Sequence, residues 1–430
     1  MEIKEAKGLR GIITVAPDKS ISHRGVILGA ISKGTTVVDN FLMGDDCLST
    51  IDCFRKMGIS IRIEKSRIIV LGRGLHGLKA PKEVLYTGNS GTTTRLLCGL
   101  LVPQRFNCTI DGDESIQKRP MNRVIEPLRK MGGKISGAKG GYAPIKIKGT
   151  NIKAIEYLLP VASAQLKSAL ILAGLYAEGK TVITEPVSSR NHTELMINGF
   201  GGNINNHKDE ITGNNVITIN PVEELFANEI SVPSDISSAA FFIVAGLIVP
   251  NSEIVIKNVG LNRTRTGIID VLKAMGGSIV IENTFDHIEP TGDIIVKSSQ
   301  LHGTEISGDL IPRLIDELPV ISVAAAFAHG TTVIKNAEEL KIKESNRIDA
   351  MERELKKSGV NVISTNDGLI IEGGSDIQGA TFDTYNDHRV AMAMSILALG
   401  AKGTSNINDY QCINVSYPSF FDTIKNLYIS

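Results

Sequence analysis

No excess of charge of either sign marks this chain: 46 Lys and Arg stand against 46 Asp and Glu, so a duplex nucleic-acid binder with a broad cationic face is excluded. A disulfide framework is equally missing. The five cysteines, Cys47, Cys53, Cys98, Cys108 and Cys412, are odd in number and form no C-x-x-C pair, which argues against a bridged scaffold or a zinc site and for a reducing cytoplasm. Long hydrophobic runs are absent too. Met1 to Val15 lacks the apolar stretch of a signal peptide, and the greasiest run, Ala239 to Pro250, is too short to span a bilayer. A soluble, internal protein is expected. At 430 residues the length exceeds what one core sustains, so two domains are the first expectation.

What is present is repetition. An Ala/Leu-rich stretch, a polar break and a β-branched run recur at 30–38, 100–110, 175–183, 247–256, 328–334 and 399–404, a period longer than that of common solenoids. A second phrase follows each: an amphipathic segment ending at glycine and then alternating apolar residues, as in Leu128-Arg-Lys-Met-Gly-Gly-Lys-Ile135 and Leu272-Lys-Ala-Met-Gly-Gly-Ser-Ile279. Glycine just past a helix takes the left-handed backbone that other residues resist, after which the period changes from 3.6 to 2. Each copy therefore reads helix, strand, helix, strand. The sixth is worn down to Phe420 through Leu427. Three copies precede about Glu224 and three follow Ser234, which puts a domain boundary between Pro221 and Pro233; the opening segment Met1 to Val15 can pair with either half.

Four segments gather cations beside small hydrogen-bonding residues: Pro17 to Arg24, Lys118 to Pro120, Lys343 to Arg347 and Asn386 to Arg389. With no general basic surface, their convergence would make a pocket for a small polyanion. Arginine's planar fork suits carboxylate or phosphate, and lysine adds a compact charge, which is the chemistry of a phosphorylated carboxylic acid. Lys19, Ser20 and Arg24 open the first repeat helix, where unpaired amides also attract an anion; a plain helix cap would look the same. The stretch Thr87 to Arg95 reads as a backbone anion cradle or as an ordinary turn. It lacks the Gly-Lys-Ser/Thr ending of a nucleotide P-loop. At about 4 Å one charge pair is worth about 4 kcal/mol at an effective dielectric near 20, against about 1 in water, so an enclosed gap gains more from these cations than an open surface does.

Taken together, Pro17 to Arg24, Gly88 to Thr92, Lys118 to Pro120, Ser163 to Gln165, Ile342 to Arg347 and Tyr385 to Arg389 resemble the enolpyruvyl transferases, and among them the members acting on shikimate 3-phosphate. The resemblance runs in order along nearly the whole chain. It implies an α/β protein with the inverse α/β barrel-like fold of two domains, each built from three βαβαββ repeats, six in all, around buried parallel helices. The first domain is expected at 15–228, mainly the shikimate 3-phosphate side, and the second at 1–14 and 229–430, with the active site in the cleft between them and closure upon the anionic ligands. The implied reaction moves the enolpyruvyl group of phosphoenolpyruvate to the 5-hydroxyl of shikimate 3-phosphate and releases phosphate, with no metal and no cofactor. The implied partners are these two small molecules, with no nucleic acid and no membrane, on a monomer.

By the same resemblance, Lys19, Ser20, Arg24, Ser163, Gln165, Arg190, Asp316 and Lys343 bind shikimate 3-phosphate, while Lys19, Gly91, Arg119, Gln165, Arg347 and Arg389 hold phosphoenolpyruvate. Asp316 is the implied base, Glu344 the proton donor to the methylene carbon, and Lys19 a participant in catalysis. Gly91, retained where alanine accompanies glyphosate tolerance in some relatives, implies sensitivity to that inhibitor. Two departures stand out: Val415-Ser-Tyr-Pro418 replaces a segment that carries lysine in part of the family, and Ala164 replaces a second serine. The related transferase acting on UDP-N-acetylglucosamine usually carries a reactive cysteine ahead of Arg-Pro, and alignment on Arg119 and Pro120 puts Glu114 there. A non-catalytic repeat scaffold would have no use for Asp316, Glu344 and Lys19 around a double phosphate site. Relatives of the RNA 3'-terminal phosphate cyclases fit worse, given the balanced charge.

Overall fold

Five glycines explain the repeat. In a computed structural model that describes residues 1–374 and 376–428, Gly58, Gly132, Gly201, Gly276 and Gly359 all take left-handed backbone, with φ between +85° and +93°, each just past a helix and before a strand. Any side chain there would be strained. The helix before each is the amphipathic one, such as Asp45–Lys56 or Arg347–Lys357, and an antiparallel hairpin follows, such as Ser60–Glu64 with Arg67–Arg73.

The chain divides into two compact units, Pro17–Val232 and Met1–Ala16 together with the chain from Pro233 onward. At the centre of the first lie three helices, Lys19–Ile31, Gly91–Leu101 and Ala164–Gly174. At the centre of the second lie Ile236–Ile248, Leu318–Phe327 and His388–Gly400. Their sequences are small or apolar on nearly every face, which is the pattern of an interior helix; in Ile236–Ile248 every residue from Ile236 to Leu247 is buried.

Strands wrap these helices in six sheets, five four-stranded and one three-stranded among the described residues. In each four-stranded sheet an edge strand runs parallel to the strand that follows the core helix, and the hairpin completes the other side, giving the βαβαββ unit. Two edge strands come from far along the sequence. Glu229–Ser231 pairs parallel with Lys33–Asp39 and so closes the first copy, while Arg10–Ile13 pairs parallel with Glu253–Gly260 and closes the fourth.

These pairings bear on three expectations. The strand 229–231, expected to begin the second domain, hydrogen-bonds within the first unit, and that unit starts at Pro17 rather than at residue 15. The opening segment serves the second unit: Glu2–Lys4 also pairs there, antiparallel to Thr404–Ile407. Among the described residues the sixth copy ends in the short helix Phe420–Lys425 without a hairpin, and it is anchored instead by rings, with Phe420 5.9 Å from Phe241 and 5.6 Å from both Phe242 and Tyr417.

No helix among the described residues is long and apolar enough to cross a membrane. Close approach of the Gly91 and Ala164 helices depends on Gly99, where a Cβ would lie 2.0 Å from the Ala169 carbonyl oxygen. Gly99→Ala is therefore expected to cost about 1–3 kcal/mol by overpacking, read as a lower urea midpoint at unchanged slope; a midpoint equal to wild type would refute this packing.

Candidate active site

The N-terminal turns of the three core helices meet in each unit, and the polar residues of the cation-bearing segments lie there. In the first unit, Asp18 caps its helix by accepting from the Ile21 amide at 2.8 Å, and Lys19 in the next position pairs with Asp46 at 3.0 Å. Arg24 is buried. Its Nε donates to Thr193 Oγ1 at 2.7 Å, Nη2 to Ser168 Oγ at 2.8 Å and Nη1 to the Ser20 carbonyl at 3.0 Å, so it ties the first helix to the third.

Ser90 caps the Gly91 helix. A Cβ on Gly91 would sit 2.8 Å from Arg95 Nη1 and 3.2 Å from Arg119 Nη1, which means two guanidinium groups lie over this glycine. Arg119 Nη2 donates to Asn89 Oδ1 at 2.7 Å and Ser115 Oγ at 3.0 Å, and Arg95 Nη1 donates to Gln165 Oε1 at 2.7 Å. Gln165 in turn donates to Thr92 Oγ1 at 3.0 Å. Ser163 caps the Ala164 helix by accepting from Leu166 at 3.4 Å. A hydrogen-bonded line through His23, Thr50, Thr93 and Ser90, each step 2.7 Å, joins the first two helices.

In the second unit Arg347 is enclosed by carboxylates. Its Nη2 lies 2.6 Å from Glu344, its Nε 2.9 Å from Asp387 and its Nη1 3.5 Å from Asp316; Lys343 approaches the same Asp316 oxygen at 3.4 Å. Burial opposes charge on Arg347, but Asp387, Glu344 and Asp316 outweigh it and raise its pKa above the ordinary guanidinium value. Burial likewise works against the Asp387 carboxylate, and Arg347 reverses that and lowers its pKa. Arg389 donates to the Ser237 carbonyl at 3.4 Å. Ser237 Oγ donates to Glu317 and accepts from Arg265 Nη2 at 2.6 Å, which links the starts of the Ile236, Leu318 and His388 helices.

Within the first unit the structure thus brings together Lys19, Ser20, Arg24, Gly91, Arg119, Ser163 and Gln165 through these contacts and through helix ends that share them. Arg190 lies in the loop between the strand Thr181–Glu185 and the helix His192–Gly199. Within the second unit Asp316, Lys343, Glu344 and Arg347 form one cluster, and Arg389 follows Asp387, the N-cap of its helix. Tyr417, in the segment that departs from the lysine-bearing pattern, is 1% exposed in the ring cluster.

A sequence pattern described as EPSP synthase (3-phosphoshikimate 1-carboxyvinyltransferase) matches residues 3–424. The chain belongs to the EPSP synthase family. It is 54% identical over 427 residues to a 3-phosphoshikimate 1-carboxyvinyltransferase of Bacillus cytotoxicus, covering 99% of each chain, and 51% identical over 429 residues to one of Thermoanaerobacter sp., covering 99% of this chain and 100% of that protein. Among solved structures, an EPSP synthase from Acinetobacter baumannii superposes with a TM-score of 0.88 at 42% identity, over 100% of this chain and 98% of that one. The enolpyruvyl transferase NikO from Streptomyces tendae, at 15% identity and TM-score 0.80 over 99% and 96%, shares the fold.

For an EPSP synthase family member, several polar groups around the helix ends went unassigned in the sequence. Arg95 sits one helical turn after Gly91, a spacing that could have flagged it. Asp46, Asp387 and Glu317 carry no spacing signal of their own, and Arg265 lies outside every quoted segment. Lys167 offered a signal, since a cation within the apolar run Leu166 to Gly174 must find buried partners.

Burial lowers the pKa of His23 to about 3, although Asp46 opposes the shift. The imidazole is then neutral in the folded chain, while the unfolded chain binds a proton below its ordinary pKa. Its contribution to stability is full above about pH 6.5 and is lost as pH falls towards 3, which amounts to about 2 kcal/mol between pH 7 and pH 5. His23→Asn should flatten that part of the urea-unfolding profile, and an unaltered pH slope in the variant would show that His23 does not carry it.

Proposed function

We propose that this chain transfers the enolpyruvyl group of phosphoenolpyruvate to the 5-hydroxyl of shikimate 3-phosphate, releasing phosphate and serving chorismate and aromatic amino acid biosynthesis. The observation that carries the reading is the grouping of Asp316 and Glu344 on Arg347, with Lys343 on the same Asp316 oxygen, in a chain that belongs to this family from end to end. Two carboxyl groups held on one guanidinium can play opposite proton-transfer roles.

On this reading Lys19, Ser20, Arg24, Ser163, Gln165, Arg190, Asp316 and Lys343 bind shikimate 3-phosphate. Lys19, Gly91, Arg119, Gln165, Arg347 and Arg389 bind phosphoenolpyruvate. Glu344 gives a proton to the methylene carbon, which creates cationic character at the neighbouring carbon. The 5-hydroxyl attacks that carbon as Asp316 takes its proton; the new methyl group then returns a proton to the Glu344 carboxylate as the bond to the phosphate oxygen breaks, which restores the double bond and expels phosphate. Lys19 and Lys343 assist the proton transfers. Arg347 can meet its ligand by exchanging a carboxylate neighbour, and the more accessible Glu344 and Asp316, rather than buried Asp387, can yield.

The same reading makes the enzyme a cytoplasmic monomer and a target of glyphosate. Gly91 supports the last point, because a methyl group there would press on the Arg95 and Arg119 guanidinium groups.

Phosphate release is expected only when shikimate 3-phosphate and phosphoenolpyruvate are supplied together; UDP-N-acetylglucosamine in place of the first should give none, and the reverse preference would sink the assignment. Asp316→Asn and Glu344→Gln should each lower kcat by about 10²–10⁴ with the fold retained. Gly91→Ala should raise KM for phosphoenolpyruvate more than KM for shikimate 3-phosphate, and full wild-type turnover in excess glyphosate would contradict the inhibitor assignment.

A further inference from the structure

Lys167 is buried completely in the Ala164 helix, three residues after its capped start, and takes no part in the chemistry above. Its ammonium lies 3.0 Å from Glu185 and 2.8 Å from Glu194, and it donates to the Ser189 carbonyl at 3.2 Å. Glu185 also accepts from Ser189 Oγ at 2.5 Å and from Asn215 Nδ2 at 3.1 Å. Every one of these groups is at least nine-tenths buried.

A cluster like this is an expensive way to gain stability. Taking three charges out of water costs more than a well-packed apolar substitute would, so a buried ion cluster is better explained by the geometry it fixes. What it fixes is one short loop. The strand Thr181–Glu185 ends at Glu185, the helix His192–Gly199 begins beside Glu194, and Lys167 grips Ser189 between them. Next to Lys167, Ser168 hydrogen-bonds Thr193 at 2.7 Å, so consecutive residues of the core helix hold consecutive residues of the following helix. Arg190 is the residue directly after Ser189, and the loop is held on both sides of it.

We infer that the buried Lys167–Glu185–Glu194 cluster is a positioning device for Arg190 and thereby sets affinity for shikimate 3-phosphate. The inference rests on the proposed function, in which Arg190 contacts that substrate. Lys167 is a positioning residue that touches no substrate. It acts through the backbone at Ser189 and through the first turn of the next helix.

The test uses the full chain, with each substrate varied separately and calorimetric titration of shikimate 3-phosphate alone. Wild-type turnover that needs both substrates comes first; its absence would overturn the proposed function, and with it the role given to Lys167. Given turnover, Lys167→Met should raise KM and Kd for shikimate 3-phosphate about tenfold and leave KM for phosphoenolpyruvate within about twofold. In an Arg190→Ala background the same substitution should add almost nothing to Kd, because the two act as one unit. A cluster that merely stabilises the fold would lower the melting temperature and leave both KM values alone. That result, an equal rise in both KM values, or a full effect persisting without Arg190 would each overturn the inference. If Lys167→Met does not fold, Ser189→Ala deletes one hydroxyl and should raise Kd for shikimate 3-phosphate about threefold; a folded Ser189→Ala with wild-type affinity would also overturn it.

Discussion

Hydrogen bonds between the N-terminal turns of the buried helices are the constraint on which the other features depend. Packing three helices with their starts together places three positive dipole ends side by side, and burial removes the water that would satisfy their free amides. Polar side chains must then be supplied from within. Asp18, Ser90, Ser163, Asp235 and Asp387 cap the helices, while Arg24, Gln165 and Ser237 tie one start to another. The same turns therefore become the place where reactive groups can be held firmly, since a polar residue there is already required by the fold.

The two units meet this requirement with different charge arrangements. In the first, Arg95 and Arg119 donate to neutral amide and hydroxyl oxygens over a glycine. In the second, Arg347 begins enclosed by Glu344, Asp316 and Asp387.

The repeated architecture was legible because one physical requirement recurs in the letters: a glycine wherever the chain leaves a helix with positive φ and enters a strand, at Gly58, Gly132, Gly201, Gly276 and Gly359. The edge strands were not legible. Leu85–Tyr86, Glu305–Ile306 and Thr381–Phe382 are two residues long, too short for a period of 2 to show, and Glu229–Ser231 finds its partner nearly 200 residues upstream. Among the candidate site residues, Lys19, Arg119 and Arg347 stood out because each interrupts a polar, small-residue segment. Arg265 was hidden by a segment with no distinguishing composition, and Lys167, although a cation in an Ala/Leu run, gave no indication of which carboxylates it would meet. Spacing along the chain also says nothing about which carboxylate faces which guanidinium; that Asp316, Glu344 and Asp387 share Arg347 is a property of the fold.

The distant edge strands also govern the order in which a growing chain can finish its parts. The first unit is one continuous stretch, complete once Glu229–Ser231 has docked beside Lys33–Asp39, so nothing synthesised later is needed to seal it. The second unit takes Arg10–Ile13 against Glu253–Gly260 and Glu2–Lys4 against Thr404–Ile407. The strands 2–4 and 10–13 therefore reach their native partners only after residues 404–406 and 253–256 have been made.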